Sequence, residues 1–277
     1  MLFHYCSGTT FLDIVKSKEL WASDPLKMND PDEVSCGIEI ISDLFIRVFP
    51  ECSKRLDPTN SIYLACSFSE NGDLLSQWRA YGDDGAGFSL GVDREALTIA
   101  NLGPGTGIGH PDFPHLGVPK FKISNVFYCK KDYTEHYLEL MNNYKTVHGT
   151  PYEEQVSGTR LSEFLFIKEL ASASCLIKSD FYKDEQEVRV FNSISLEEAK
   201  GLSKIPVFAE LADVRFRSTR FGIKSYMPVK LVGNETTALR KIVIGPNNQS
   251  SPDDVKLVLA LNGFDDIEVV KSRGNYR

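Results

Sequence analysis

Residues 2–6, Leu-Phe-His-Tyr-Cys, form a short run of apolar and aromatic side chains around one histidine. Such a run predicts a β-strand, whose side chains have a period of two and point alternately to two faces. One face carries Leu2, His4 and Cys6, and the other carries Phe3 and Tyr5. A histidine is therefore expected among apolar neighbours on the first strand.

The period then changes to that of a helix, which we expect to run to about Lys18. Its apolar stripe consists of Phe11, Ile14 and Val15. Thr9 or Thr10 is positioned to cap its N-terminus. Residues 24–33 follow after a short Leu-Trp-Ala segment, and their Asp, Asn and Pro content predicts a loop.

Two further strands, residues 61–69 and 87–92, bracket a short helix. That helix carries Leu74, Trp78 and Tyr81 at positions i, i+4 and i+7, so these side chains share one face. The two strands and the helix between them predict a compact structural unit.

The second half of the chain contains two helical segments and a well-defined C-terminal unit. Tyrosines at helical spacing around Tyr133 and Tyr137 predict core packing rather than a base-stacking surface, and residues 161–178 predict another helix. Near the C-terminus, Ser251 caps a helix between the apolar strands 241–245 and 267–272. A strand, a helix and a returning strand favour a parallel pair.

Composition indicates an ordinary globular protein, with 277 residues, of which 42% are hydrophobic and 25% charged. The formal net charge of −7 disfavours a general attraction to nucleic acid or to membranes. The cysteines have no metal-ligand spacing, so no metal site is predicted. The N-terminus lacks a signal pattern and no apolar run is long enough to cross a bilayer, so we expect a cytoplasmic protein. The expected architecture is a single α+β domain over residues 1–277, with a Gly/Pro-rich insertion loop near 101–119.

Residues 182–190 concentrate ionisable side chains at alternate positions. If this segment is a strand throughout, Glu185, Glu187 and Arg189 lie on one face. One interpretation is an exposed strand with a Glu–Arg pair that contributes about 0–1 kcal/mol. The other is a functional site, which the first strand and its histidine favour.

A basic cluster stands out within the acidic chain. It consists of Arg215, Arg217, Arg220 and Lys224, on a predicted β-ribbon. It is either a solvated strand face or a surface that contacts phosphate or nucleic acid.

Short motifs that occur in order along the chain resemble a known family. They are His4-Tyr5-x-Ser7, Asn29-Asp30-Pro31-x-Glu33, Cys66-x-Phe68-Ser69, Trp78-x-x-Tyr81, Gly87-Phe88, Glu185-x-Glu187-x-Arg189, Gly245-Pro246 and residues 272–277. Their order is similar to that of a largely bacterial family, domain-of-unknown-function family 2971. That family name implies no activity.

A second resemblance, to NAD-dependent ADP-ribosyltransferases, does imply one. It lies in the order of a first strand with His, a middle Ser-x-Ser strand and a late Glu-x-Glu strand. It implies a split mixed β-sheet with flanking helices, NAD as the substrate and no metal. The catalytic residues that it implies are Glu187, Glu185 and His4, and the NAD-binding residues are His4, Tyr5, Ser67, Ser69, Trp78, Tyr81 and Arg189.

The expected function is transfer of ADP-ribose from NAD, or cleavage of NAD, in a bacterial toxin or an antiphage defence effector. The acceptor would be a protein or a nucleic acid, and a defence-system partner protein is implied. One departure is that Arg189 follows Glu187 on the same predicted face and is placed to neutralise it. The alternatives are a non-catalytic module that binds a nucleotide or nucleic acid through Arg215, Arg217 and Arg220, and a phosphotransferase acting on RNA termini.

Overall fold

A computed structural model describes residues 1–27, 31–51, 61–102, 120–150, 160–195, 213–219, 222–233 and 236–274. The fold is mixed α+β, built on one sheet of ten strands with helices packed against it. The strands are β1 (Leu2–Cys6), β2 (Glu19–Ser23), β3 (Ser61–Ser69), β4 (Phe88–Val92), β5 (Lys122–Asn125), β6 (Glu187–Ser195), β7 (Arg215–Thr219), β8 (Gly222–Lys230), β9 (Leu239–Ile244) and β10 (Glu268–Lys271). The helices are α1 (Gly8–Ser17), α2 (Pro31–Val48), α3 (Leu75–Ala80), α4 (Arg94–Ala100), α5 (Lys130–His148), α6 (Arg160–Ala173) and α7 (Pro252–Leu261).

The strands follow the order β10-β9-β4-β1-β3-β2-β8-β7, and β6 pairs with both β3 and β5. Among the described strands, all pairings are antiparallel except that of β9 with β10, which are parallel and joined through α7. The predicted C-terminal strand–helix–strand unit is therefore confirmed. Ser251 caps α7 in a capping box, and Gly263 follows its end with a positive φ of 74°.

The sheet forks at β3. One edge of β3 pairs with β6 along its whole length, from Ser61 to Ser69. The other edge is shared, because β1 meets it at the Phe3–Ser69 pair and β2 meets it at the Ser23–Ala65 pair. The sheet consequently divides into two arms, β1-β4-β9-β10 and β2-β8-β7, which leave a gap beside the middle of β3.

Apolar side chains pack on both faces of the sheet. The larger core includes Leu64, Cys66 and Phe68 of β3 together with Val188 and Val190 of β6. The opposite face of these two strands is covered by α2, α5 and α6. Tyr133, Tyr137 and Met141 of α5 are buried there, as the tyrosine spacing predicts.

The structure corrects the predicted strand over residues 182–190. A 3₁₀ helix spans Asp180–Glu185, Gln186 has a left-handed conformation with φ 46°, and β6 begins only at Glu187. Ser179 favours this local turn, because its side chain accepts a hydrogen bond from the backbone N–H of Phe181. Glu187 and Arg189 share a strand face as predicted, but Glu185 does not belong to the strand.

Smaller differences also have local causes. Ser7 caps α1 in place of Thr9 or Thr10, accepting a hydrogen bond from Thr10 N. The predicted loop over 24–33 ends earlier, since α2 begins at Pro31, and a proline is well accommodated in a first helical turn. The predicted helix 161–178 ends at Ala173 and continues as a 3₁₀ turn. Most of the 101–119 loop, Asn29, Asp30 and Arg220 lie outside the described residues.

Candidate functional site

A cavity of about 710 Å³ occupies the fork of the sheet. Its walls come from β1, α1, β2, the middle of β3, the segment from Lys178 to Arg189, and β7. The predicted site residues that line it are His4, Tyr5, Ser67, Tyr81, Glu185, Glu187 and Arg189. Widely separated parts of the chain thus meet at one concave site of a size typical for small ligands.

Four alternating charges form one wall of this cavity. Arg189 Nε donates to Glu187 Oε1 over 2.6 Å, and Arg189 Nη2 donates to Glu187 Oε2 over 3.1 Å. Lys178 Nζ lies 3.0 Å from the same Oε2 and 2.6 Å from Glu185 Oε2. Lys178, Glu187 and Arg189 are buried. We call this set of Lys178, Glu185, Glu187 and Arg189 the ion quartet.

Backbone contacts hold the ion quartet in place. Arg189 Nη1 donates to the carbonyl oxygen of Cys175 over 2.6 Å, which ties β6 to the 3₁₀ turn after α6. The backbone N–H of Glu187 donates to the hydroxyl of Tyr128 over 2.7 Å. Ser69 Oγ donates to the carbonyl oxygen of Glu185 over 2.8 Å. This hydrogen bond and the left-handed turn at Gln186 together keep Glu185 beside Lys178.

Glu187 and Lys178 of the ion quartet stay ionised at neutral pH. Burial alone would raise the pKa of Glu187, but Arg189, Lys178 and a hydrogen bond from Ser67 outweigh it and lower the pKa to about 2. Burial would likewise lower the pKa of Lys178, and the two glutamates reverse this and raise it. Glu187 is therefore a carboxylate at physiological pH and not a proton donor.

His4 fills the gap between β1 and β3. Its Nδ1 lies 3.0 Å from the carbonyl oxygen of Ser67, where a hydrogen bond requires the proton on Nδ1. Burial lowers the pKa of His4, only partly offset by this hydrogen bond, so the ring is neutral. Nε2 then keeps its lone pair and is chemically able to accept a hydrogen bond.

The aromatic residues predicted to bind NAD occupy different positions. Tyr81 lies at the end of α3, lines the cavity and is 45% exposed. The ring of Tyr5 also lines the cavity, while its hydroxyl donates to Asn71 O and accepts from Leu74 N. Trp78 is buried behind Tyr5, 4.8 Å between ring centroids, and lies outside the cavity lining. Tyr81 and Tyr5 are thus the predicted aromatic residues that line the cavity.

Two predicted residues support the site without lining it. Ser69 is buried, donates to Glu185 O and accepts from Asn71 N. Trp78 Nε1 donates to Asp73 Oδ1 over 2.9 Å. Both side chains hold neighbouring loops, and neither is available to a ligand in the cavity.

The predicted basic cluster does not form one exposed surface within the described chain. Arg215 is bound by Asp213 at 2.8 Å and by Glu19 at 3.2 Å. Arg217 instead lines the cavity, with its guanidinium 4.8 Å from the centroid of Trp21. Lys224 lies opposite Arg217 on β8.

Sequence reasoning missed several cavity residues. Lys178 was the last residue of a predicted helix, and Trp21 lay in a short connecting segment. Tyr182 contacts Lys178, with the ammonium group 4.7 Å from the ring centroid. Trp21 reaches the site through a long-range contact with Arg217. Lys178 and Tyr182 reach it through the 3₁₀ helix at Asp180–Glu185, which the alternating pattern does not predict.

The part of the chain that the structure describes contains no group of three His, Cys, Asp or Glu residues that could hold a metal ion. Nor does any helix in those same residues have the length and apolarity needed to cross a membrane.

One family model matches part of the chain. Residues 77–190 match the model of the family described as "Protein of unknown function (DUF2971)". No curated protein and no solved structure matches the chain. The matched segment contains Trp78, Tyr81 and the Glu185-x-Glu187-x-Arg189 motif. The predicted resemblance to DUF2971 is thereby confirmed, and the matched segment supplies one wall of the cavity and the ion quartet.

Proposed function

We propose that the protein is an ADP-ribosyltransferase-like enzyme that binds NAD in the cavity and breaks the bond between nicotinamide and ribose. The proposal rests on one observation: His4, Tyr81 and Glu187 line the same cavity although they come from distant parts of the chain. The fork of the sheet around the cavity supports it further, since the resemblance implies a split sheet.

The chemistry requires a negative charge beside the ribose. As the C1′–N bond breaks, its electron pair leaves with nicotinamide and positive charge develops on the ribose. A carboxylate in a site of low dielectric stabilises this charge more strongly in the transition state than in the substrate. Glu187, whose pKa is lowered to about 2, supplies such a carboxylate at any physiological pH.

A ribose hydroxyl must exchange with one of the existing contacts of Glu187. Lys178 is the partner that is most easily released, because Glu185 holds the same ammonium group at 2.6 Å, against 3.0 Å for Glu187. Arg189 meanwhile keeps its two hydrogen bonds to Glu187 and fixes the carboxylate in orientation. In this proposal His4 Nε2 accepts a hydrogen bond from the adenine-side ribose of NAD, and Tyr81 stacks on nicotinamide.

The acceptor completes the reaction. Its nucleophilic oxygen or nitrogen attacks C1′, and its proton passes to Glu185 Oε1, to which no hydrogen bond is made within the described residues. With water as the acceptor, the product is free ADP-ribose. A protein or nucleic-acid acceptor, a cytoplasmic location and a toxin or defence role with a partner protein belong to the same proposal and rest on the resemblance alone.

A second candidate is a nucleotide-binding module without catalysis. The bidentate pair of Glu187 with Arg189 favours it, because a carboxylate satisfied by a guanidinium is less available to a ribose. On this reading the cavity binds a nucleotide and the ion quartet only shapes its wall.

Nicotinamide release separates the two candidates. Purified protein is incubated with NAD, with and without cell lysate, and wild type is compared with Glu187→Gln, Glu185→Gln and Glu268→Gln. Glu268 is the matched control, as its carboxylate pairs with Lys241 on the surface. We expect Glu187→Gln to lower the rate at least about a hundredfold, while Glu268→Gln matches wild type.

Folding of each variant is checked by circular dichroism, because Glu187→Gln leaves Arg189 buried without its carboxylate. Glu185→Gln serves as the second variant, since Glu185 is less buried than Glu187. NAD binding without any nicotinamide release in wild type would replace the enzyme by the binding module.

A further inference from the structure

Among the described residues of the β2-β8-β7 arm, Arg217 is the cationic one that lines the cavity. It extends from β7 across β8 to β2, where its guanidinium lies over the Trp21 ring and Nη2 donates to Ser23 Oγ over 3.2 Å. Its Nε is buried and has no hydrogen-bond partner within the described chain. The guanidinium is therefore fixed in position but only partly used.

The charge of Arg217 is unmatched within the described residues. Arg215, two positions earlier on the same strand face, is neutralised by Asp213 and Glu19. Arg217 has no carboxylate within ion-pair distance there, and its direct cross-strand neighbour is Lys224. Like charges placed directly opposite on a sheet are destabilising, and an anion between them removes that cost.

We propose that Arg217 binds the phosphate or diphosphate group of a nucleotide in the cavity. As a statement about the NAD site, this inference rests on the proposed function. Guanidinium is suited to this role, because its planar N–H donors match phosphate oxygens in a bidentate geometry. Trp21 supports its flat face, and Ser23 holds one amino group, so its orientation is set before the ligand arrives.

The position of Arg217 also gives the ligand a direction. Ser23 of β2 and Arg189 of β6 lie on opposite edges of β3, near the paired residues Ala65 and Ser67. Strands two places apart are separated by about 10 Å. The phosphate group of the ligand is thereby assigned to the β2 side of the cavity, and its reacting sugar to the ion quartet. A ligand that spans this distance is an extended nucleotide and not a compact monosaccharide.

Binding of defined probes tests the assignment. Isothermal titration calorimetry compares inorganic pyrophosphate, ADP and adenosine as ligands of wild type, Arg217→Gln, Arg217→Lys and Arg240→Gln. Arg240 is the matched control. It is exposed on β9 outside the cavity, and Arg240→Gln removes the same charge there. We expect Arg217→Gln to weaken pyrophosphate and ADP about tenfold to a hundredfold while adenosine is unchanged, with Arg217→Lys in between.

The opposite results overturn it. A phosphate site at Arg217 is contradicted if Arg217→Gln leaves the affinity for pyrophosphate and ADP unchanged, or if it weakens adenosine binding equally. It is also contradicted if wild type binds neither pyrophosphate nor ADP. The nicotinamide assay tests the enzyme proposal separately. Nicotinamide release that does not depend on Arg217 leaves the enzyme proposal standing. Arg217-dependent ADP binding without release leaves the phosphate site standing and removes the catalysis.

Discussion

At the scale of single residues, Glu187 combines deep burial with full charge. Its pKa is about 2 in the folded protein against an ordinary value of 4.5, because Arg189 and Lys178 outweigh the cost of burial. A lowered carboxylate pKa contributes stability that is fully present above about pH 4.5 and is lost as the pH falls toward 2.

The pH dependence of stability follows from the lowered pKa of Glu187. We expect Glu187→Gln to lower the free energy of unfolding by about 3–5 kcal/mol at pH 7, because Arg189 and Lys178 lose a buried partner. The gap from wild type should narrow by about 2 kcal/mol between pH 7 and pH 3. Urea unfolding at both pH values measures it, and Glu268→Gln should stay within about 1 kcal/mol of wild type. A gap that does not change with pH would contradict the ionised state assigned to Glu187.

At the scale of secondary-structure elements, Asp73 joins α3 to the end of the chain. Its Oδ1 accepts hydrogen bonds from Trp78 Nε1 and Ser272 Oγ, and its Oδ2 accepts one from the backbone N–H of Arg273. Burial alone would raise the pKa of Asp73, but these hydrogen bonds lower it. The residues after β10 are thereby held against the loop that precedes α3.

Loss of this connection should destabilise the fold measurably. We expect Asp73→Ala to cost about 2–3 kcal/mol of unfolding free energy, since Trp78 loses its buried acceptor. Asp265→Ala, in an exposed loop with no described hydrogen bond, should change stability by less than about 0.5 kcal/mol. Denaturant unfolding of both variants measures the difference. Equal stabilities would mean that the C-terminal residues are held by other contacts.

Local sequence patterns predicted the strands and helices whose buried side chains lie close together in the sequence. Leu2, Tyr5 and Cys6 of β1 are buried, and the tyrosine spacing in α5 reflects one helix face packed on a core, so the sequence carries both elements directly. The same patterns could not predict the 3₁₀ helix at Asp180–Glu185, where a serine turn overrides the alternation.

The site was only partly predictable for a related reason. Glu187 and Arg189 are neighbours on one strand, so their pairing was visible in the sequence. Lys178 joins them through the turn after α6, and Arg217 reaches Trp21 across an intervening strand. The Arg217 contact depends on how distant strands pair, which no window of the sequence contains. Lys178 is only nine residues from Glu187, but the 3₁₀ helix between them shows no pattern that places its ammonium group at the site.

At the scale of the whole molecule, the cavity lies between two arms that share only β3. Side chains from β1 of one arm and from β2 and β7 of the other line it, so a ligand that fills it contacts both. The single residue pairs that join β1 and β2 to β3 leave the fork with few backbone hydrogen bonds of its own. A nucleotide would therefore add contacts between the arms where the sheet supplies least.

Hydrogen exchange can detect this connection. With ADP at a hundred times its dissociation constant, linkage predicts about 2.7 kcal/mol of added stability, and we expect slower amide exchange in both β1 and β2. Strand β10, at the far end of the first arm, should show only the global part of the effect. In Arg217→Gln at the same ADP concentration the slowing should be weaker in both strands, because the nucleotide is bound less. Protection confined to β1 would place the nucleotide on one arm only, and would exclude a phosphate contact at Arg217 on the other arm.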